Sequence, residues 1–204
     1  MQVEAIKNVT PGEIISEKGF KDYGIHGDKA VIAGTLCRIE DLYFIKSKTM
    51  IYLPRKYDIV IGKVFFSCAD YYKIDLCGCT GILPTLSFWN ATKKNRPELE
   101  RDQFVVCQVV RVEGNEPLLC CKKEGLGKVD EAFAVESWKI RMFYFNDFIK
   151  NIARNRTFKI IMAMNGFVWL DGEAETKKDV LNLIRSYQGE SSSHSQSKMN
   201  VKDK

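Results

Sequence analysis

Between Tyr57 and Lys123 the chain reads as five short strand patterns separated by turn signals, with one long polar insertion. Residues 60–67 are rich in Val, Ile and Phe, and Cys68-Ala-Asp70 can turn. Residues 71–76 alternate, with Tyr72, Ile74 and Leu76 on one face and Tyr71, Lys73 and Asp75 on the other. Cys77-Gly-Cys79 breaks the run, and residues 80–83 resume it. Residues 103–113 make a long strand pattern, Gly114-Asn-Glu-Pro117 is a turn signal, and residues 118–122 close the set. Five short strands with the insertion between the third and fourth fit an OB-type barrel. Barrels of this kind hold oligonucleotides on the face of strands 2 and 3 and on adjoining loops.

The insertion contains Ser87-Phe-Trp-Asn-Ala-Thr-Lys-Lys-Asn-Arg-Pro97. Aromatic rings can stack on unpaired bases, and neighbouring cations can neutralise phosphates. Lys93, Lys94 and Arg96 are therefore candidate phosphate contacts. With Ile74 and Leu76 directed into the barrel, Tyr71 and Lys73 fall on its outer face as further candidates. The plainer alternatives are a solvated basic loop and an ordinary exposed sheet tyrosine. Trp89 follows the apolar Leu86 and Phe88, so it is read as core, with a stacking platform as the other reading.

Tyr57-Asp-Ile-Val-Ile-Gly-Lys-Val64, Tyr72-Lys-Ile-Asp-Leu76, Gly81-Ile-Leu-Pro84 and Ala91-Thr-Lys-Lys-Asn-Arg-Pro97 resemble an S1 domain. More narrowly, they resemble that of the RNA exosome's cap proteins, of the ribosomal RNA-processing protein 40 type. Ala163-Met-Asn-Gly-Phe-Val-Trp-Leu170 resembles the GxNG-hydrophobic-Trp signature in the last domain of the same family, with Ala163 in place of the first glycine. The resemblance covers roughly residues 11–187.

The expected organisation is mainly β with an α+β C-terminal part: a small N-terminal β domain over 1–55, the S1 barrel over 56–123, a KH-like domain over 124–188, and a disordered tail over 189–204. In the first unit, Thr10-Pro-Gly12 turns, and residues 29–38, 42–46 and 50–53 are short strand runs. So small a domain buries little surface alone and is expected to pack on a neighbour. The resemblance implies that it docks on a ring of RNase PH-like subunits; an appendage that stabilises the barrel is the alternative.

In the third unit, residues 131–135 fit a strand. Val135, Trp138, Met142 and Phe145 are spaced for one buried helix face. Asn146 or Asp147 can cap a second helix, residues 158–163 and 167–170 read as strands, and Thr176-Lys-Lys-Asp179 fits a capping pattern for a last helix. The order β-α-α-β-β-α is that of a KH domain. A KH domain that grips nucleic acid carries GxxG between its first two helices. Here that place reads Phe143-Tyr-Phe-Asn-Asp147, without glycine. The tetrad Ala163, Met164, Asn165 and Gly166 lies between strands and reads as a structural turn of type I′. The resemblance implies that it sits at the S1–KH contact.

The chain has 31 Lys and Arg against 26 Asp and Glu, a net charge of +5, so any RNA affinity must come from local clusters. No signal peptide is apparent, and an odd count of seven cysteines points to a reducing compartment. No apolar run approaches the roughly 20 residues that span a bilayer, so no membrane partner is expected. His26 is one of only two histidines and sits in a turn-like Tyr23-Gly-Ile-His-Gly-Asp28. No catalytic residue is expected. Cys77-Gly-Cys79 and Cys120-Cys121 lack zinc-ribbon spacing, so neither metal nor cofactor is expected. Asp58, Asp70 and Asp75 show no nuclease pattern.

The resemblance implies a non-catalytic RNA-binding cap subunit of the exosome. Such a subunit would guide single-stranded RNA into a ring for 3′–5′ processing by another subunit. It implies roles in ribosomal RNA processing and RNA degradation, in nucleus, nucleolus and cytoplasm, with ring subunits and other cap subunits as partners. A free-standing S1 protein of the ribosome or of initiation would instead bind RNA tightly alone, and an S1-containing exoribonuclease would degrade RNA with added metal.

Overall fold

The computed structural model describes residues 3–48, 51–114 and 116–188, so the tail expected over 189–204 lies outside the described residues. The first sheet has the order β1-β5-β6-β2, built from β1 (Glu4–Val9), β2 (Phe20–Lys21), β5 (Gly34–Ile39) and β6 (Leu42–Lys46). Strands β3 (Ile25–His26) and β4 (Lys29–Ala30) form a separate hairpin, with His26 exposed beside the Gly27-Asp28 turn. The single strand expected over 29–38 is thus two. Strand β1 carries little apolar signal, five of its six residues being exposed. Of the run expected over 50–53, Met50 lies outside the described residues, and 51–53 form no strand: Tyr52 is buried and its N–H donates to the Cys77 carbonyl at 3.0 Å without a ladder around it.

The central barrel matches the expected strand set. It comprises β7 (Ile59–Ser67), β8 (Tyr71–Asp75), β9 (Thr80–Pro84), β10 (Phe104–Arg111) and β11 (Leu118–Cys120). The sheet runs β11-β9-β8-β7-β10 and closes through a β10–β11 pairing, so five strands make a closed barrel. Its interior holds Val60, Val64, Tyr72, Ile74, Leu76, Leu83, Val105 and Leu119, all buried. A Cβ at Gly62 would stand 2.4 Å from Ile74 Cγ2 and 2.5 Å from the Asp75 carbonyl, so only glycine fits where β7 crosses β8. A sixth strand, β12 (Gly127–Val129), adds to the outer edge of β10.

The C-terminal part follows the expected β-α-α-β-β-α order: β13 (Phe133–Ala134), α1 (Ser137–Phe145), α2 (Phe148–Ala153), β14 (Lys159–Ala163), β15 (Phe167–Asp171) and α3 (Ala174–Ser186). Its antiparallel sheet is ordered β13-β15-β14. Helix α3 starts at Ala174 with Glu173 before it and no side-chain cap, so Thr176 lies inside the first turn instead of opening it. The apolar positions Val180, Leu181 and Ile184 fix this helix on the sheet more firmly than a cap would.

Helix α1 departs most from its reading as a one-faced helix. Trp138 and Met142 enter the core of the N-terminal sheet, while Ile140 and Phe143 enter the C-terminal core. Phe145, expected on the buried face, is 49% exposed, and Val135 precedes the helix. Even Lys139 and Arg141 are buried. Lys139 pairs with Glu136 at 2.8 Å and donates to the Arg185 carbonyl, and Arg141 pairs with Asp22 at 2.8 Å and lies 5.5 Å over the Tyr23 ring. Asp22 also accepts from Arg55. The N-terminal sheet therefore shares its core with the C-terminal part through this helix.

Candidate nucleic-acid interface

Register fixes the outer face of the barrel. A bulge between Val64 and Phe66 in β7 inserts Phe65, and a bulge turns neighbouring side chains from strict alternation. Phe65 and Phe66 are both exposed, and the Phe66 ring lies 6.2 Å from that of Tyr71 across the strand pair. Tyr71 is half-buried, as is Lys73, whose ammonium pairs with Glu116 at 3.0 Å. That hydrogen bond to Glu116 raises the lysine's pKa. Lys73 is thus a cation with a carboxylate already attached. The aromatics Phe65 and Phe66 escaped sequence reading; the broken alternation at 65–66 was the only signal.

The insertion after β9 is pinned at both ends. At its entry the Ser87 carbonyl accepts from Cys121 N at 2.7 Å, and Phe88 is buried, edge-on to Tyr72 with centroids 6.5 Å apart. At its exit the Tyr72 hydroxyl donates to the Pro97 carbonyl at 3.0 Å and accepts from Leu99 N at 3.4 Å, and Leu99 is buried. Between the ends, Trp89 is 69% exposed. It is not core: Phe88 fills that place, and Asn90, held at a φ of 54°, turns the backbone so that the indole faces water. Thr92 and Asn95 exchange backbone hydrogen bonds of 2.8 and 3.2 Å, closing a tight turn. Lys93 and Lys94 stand at its apex, exposed and without an ion pair among the described residues. Arg96, also exposed, donates to the Ala69 carbonyl, and Thr85 donates to the carbonyls of Ala69 and Asp70. The basic turn and the Phe66–Tyr71 pair therefore flank the same Cys68–Asp70 turn. Chemically, this surface offers flat rings for stacking beside two uncommitted cations.

The tetrad of residues 163–166 has a different setting. Gly166 has a φ of 87°, while Asn165 is not in the left-handed region. Ala163 pairs with Phe167, and Gly166 N donates to the Ala163 carbonyl at 3.0 Å. The loop thus has three residues, a β-turn followed by a left-handed glycine, and not the two-residue type I′ turn read from sequence. The reason lies in Asn165, which is fully buried. Its amide oxygen accepts from Ile61 N at 3.1 Å, and its amide nitrogen donates to the carbonyls of Ile61 at 2.7 Å and Leu76 at 3.3 Å. Met164 N donates to the Ile59 carbonyl at 2.8 Å. Strand β8 pairs with β7 only from Lys63 onward, so the edge of β7 at 59–61 would otherwise lack a partner. The tetrad supplies one. Ala163 packs with Ile61 and Val106, and Phe167 lies 6.1 Å from Phe104.

Where a GxxG loop would stand, Phe143 is buried, Tyr144 donates to the Met162 carbonyl at 3.0 Å, and Asn146 accepts from Phe148 N and donates to Tyr187. Among the described residues no three His, Cys, Asp or Glu side chains gather as around a metal ion. The seven cysteines are free; the Cys121 thiol donates to the Val106 carbonyl and lies 3.4 Å from Cys107.

Residues 52–131 match the family model for the S1 domain of exosome complex component RRP40. Human exosome complex component RRP40 is 30% identical over 154 residues, which are 70% of this chain and 55% of the human protein. The chain thus spans about half the length of that relative. Exosome complex component Rrp4 of Methanosphaera stadtmanae is 23% identical over 199 residues, 89% of this chain and 87% of that protein. A crystal structure of a candidate exosome complex RNA-binding protein superposes with a TM-score of 0.59 at 19% identity, over 71% of this chain and 90% of the other. That likeness establishes the fold.

Proposed function

We propose, from a chain whose S1 segment belongs to the exosome RRP40 family, that the protein is a non-catalytic RNA-binding cap subunit of an RNA exosome. One observation carries the reading: an S1 barrel of this type bears exposed aromatics and, around one turn, the cations Lys93 and Lys94, which have no ion pair among the described residues. Single-stranded RNA would stack on Trp89 and on the Phe66–Tyr71 pair, with Lys93 and Lys94 against phosphates. Arg96 and Lys73, each already holding a protein oxygen, would add weaker contacts. The RNA would pass into a ring for 3′–5′ processing by another subunit, with the N-terminal sheet docked on RNase PH-like ring subunits beside other cap subunits. Ribosomal RNA maturation and RNA turnover in nucleus, nucleolus and cytoplasm follow from that role.

The deciding experiment is affinity purification of the tagged protein from its own cells, followed by mass spectrometry and incubation of the pure chain with 5′-labelled RNA and Mg²⁺ or Mn²⁺. Ring subunits should co-purify and the isolated chain should leave RNA intact. Co-sedimentation with ribosomal subunits alone, or turnover that tracks the chain through successive columns, would overturn the reading.

A further inference from the structure

The insertion joins the barrel wall before it reaches its basic turn. Phe88 and Cys121 form a parallel bridge, in which Cys121 N donates to the Ser87 carbonyl at 2.7 Å. Both side chains are buried in the barrel core. In paired extended segments, successive side chains point to opposite faces. The next residue on each segment, Trp89 on one and Lys122 on the other, therefore leaves the core at the same place, and both are exposed. Lys122 N donates to Cys120 Sγ at 3.4 Å. Lys123 is exposed as well, and its carbonyl accepts from Leu126 N at 3.2 Å, closing the turn that leads into β12.

Lys122 and Lys123 have no ion pair among the described residues. Elsewhere on the barrel, Lys63 pairs with Asp102, Lys73 with Glu116 and Arg111 with Glu113. A phosphate can reach an unpaired cation without displacing a carboxylate from it. Glu124, the nearest acid in sequence, lies inside the turn that Leu126 N closes, past the residues paired with the insertion. The exposed indole of Trp89 thus has uncommitted cations on two segments. Lys93 and Lys94 lie further along its own loop, and Lys122 and Lys123 lie across the bridge.

We infer that Lys122 and Lys123 form a second phosphate-binding contact, across the Phe88–Cys121 bridge from the basic turn. A base stacked on Trp89 within a strand has a phosphate on its 5′ side and another on its 3′ side. One meets Lys93 and Lys94, and the other meets Lys122 and Lys123. The RNA therefore continues past Trp89 over the end of β11, away from the face of β8 and β9 on which barrels of this kind hold oligonucleotides. This inference rests on the reading of the insertion as an RNA site.

The test measures binding of the full chain to a single-stranded RNA of about 16 nucleotides, the upper site size of one such barrel, over a range of salt. K122A/K123A should lower the slope of log K against log salt by about 1.4, at roughly 0.7 for each phosphate contact. The melting temperature should hold, since both side chains are exposed. Combining this pair with K93A/K94A should lower the slope by the sum of the two losses. R154A/R156A removes the same charge from two exposed positions after α2 and should leave the slope in place. With p-benzoylphenylalanine in place of Lys122, irradiation should join the chain to 5′-labelled RNA. An unchanged slope in K122A/K123A, an equal fall in R154A/R156A, or no RNA adduct at position 122 overturns the second contact. If K93A/K94A lowers the slope and K122A/K123A does not, only the second contact fails. If neither lysine pair matters, or the parent chain binds no RNA, the reading of the insertion as an RNA site falls with it.

Discussion

Two loops in this chain look alike in sequence and behave in opposite ways. Thr92–Asn95 and Ala163–Gly166 are both short and polar-tipped, and each has an asparagine at a turn. Asn95 is exposed and contributes only backbone hydrogen bonds to its turn. Asn165 is fully buried and makes three side-chain hydrogen bonds to the backbone of the barrel. The difference comes from what lies opposite. The basic turn faces water beyond its pinned ends, whereas the tetrad faces a strand edge that no other strand among the described residues covers. A primary amide has one acceptor and two donors, so it can replace the missing ladder at Ile61. The same residue type is solvated in one place and structural in the other.

Asn165→Ala should break this contrast most severely. It strands the Ile61 N–H and the Ile61 and Leu76 carbonyls in a buried setting, at about 1–3 kcal/mol for each group left unpaired. That sum is a large part of the 5–15 kcal/mol typical of a whole fold. A steep drop in melting temperature by calorimetry is expected, while Asn95→Ala should stay within about 0.5 kcal/mol of the parent. Equal effects of the two changes would show that the buried amide has no special role.

Gly166→Val should come next. A φ of 87° suits glycine and strains a β-branched residue, at roughly 1–3 kcal/mol. The melting temperature should fall, and RNA affinity measured well below the new transition should hold. Retained stability with lost RNA binding would instead make the tetrad a clamp.

At the other loop the pattern should invert. Trp89→Ala should leave the melting temperature unchanged and weaken single-stranded RNA binding by about 1–3 kcal/mol, roughly five- to 150-fold, through lost stacking. Phe88→Ala, one residue earlier, should destabilise the barrel by about 3–5 kcal/mol. If Trp89→Ala melts early and binds normally, the indole is structural.

The smallest effect belongs to the cations. K93A/K94A removes up to two phosphate contacts, each contributing roughly 0.7 to the slope of log K against log salt, so the slope should fall by about 1.4. Adding Arg96→Ala should change the slope less and loosen the loop, because its guanidinium is tied to the Ala69 carbonyl. A slope that ignores both lysines would move the RNA site off this insertion.

The N-terminal sheet gives a related lesson. Its small size called for a neighbour to pack on, and that neighbour includes α1: Trp138 and Met142 complete its core and Asp22 holds Arg141. Helix spacing alone shows which residues are apolar, but not that two sheets will claim opposite sides of one helix. Charged residues at 139 and 141 even argue for a wet face there. Their burial depends on partners at Glu136, Arg185 and Asp22, the last 119 residues away in sequence.

Local chemistry was enough for the barrel strands, the β-α-α-β-β-α order and the basic turn. Alternation, turn residues and helical spacing act over a few residues and are written in sequence. The fate of single side chains was not. Trp89 faces water because Phe88 took the space beneath it, and Phe65 and Phe66 are both exposed where a bulge shifts the register. Asn165 is buried because β8 leaves β7 before Ile61. Each depends on which long-range neighbour is present or missing, and tertiary packing alone decides that.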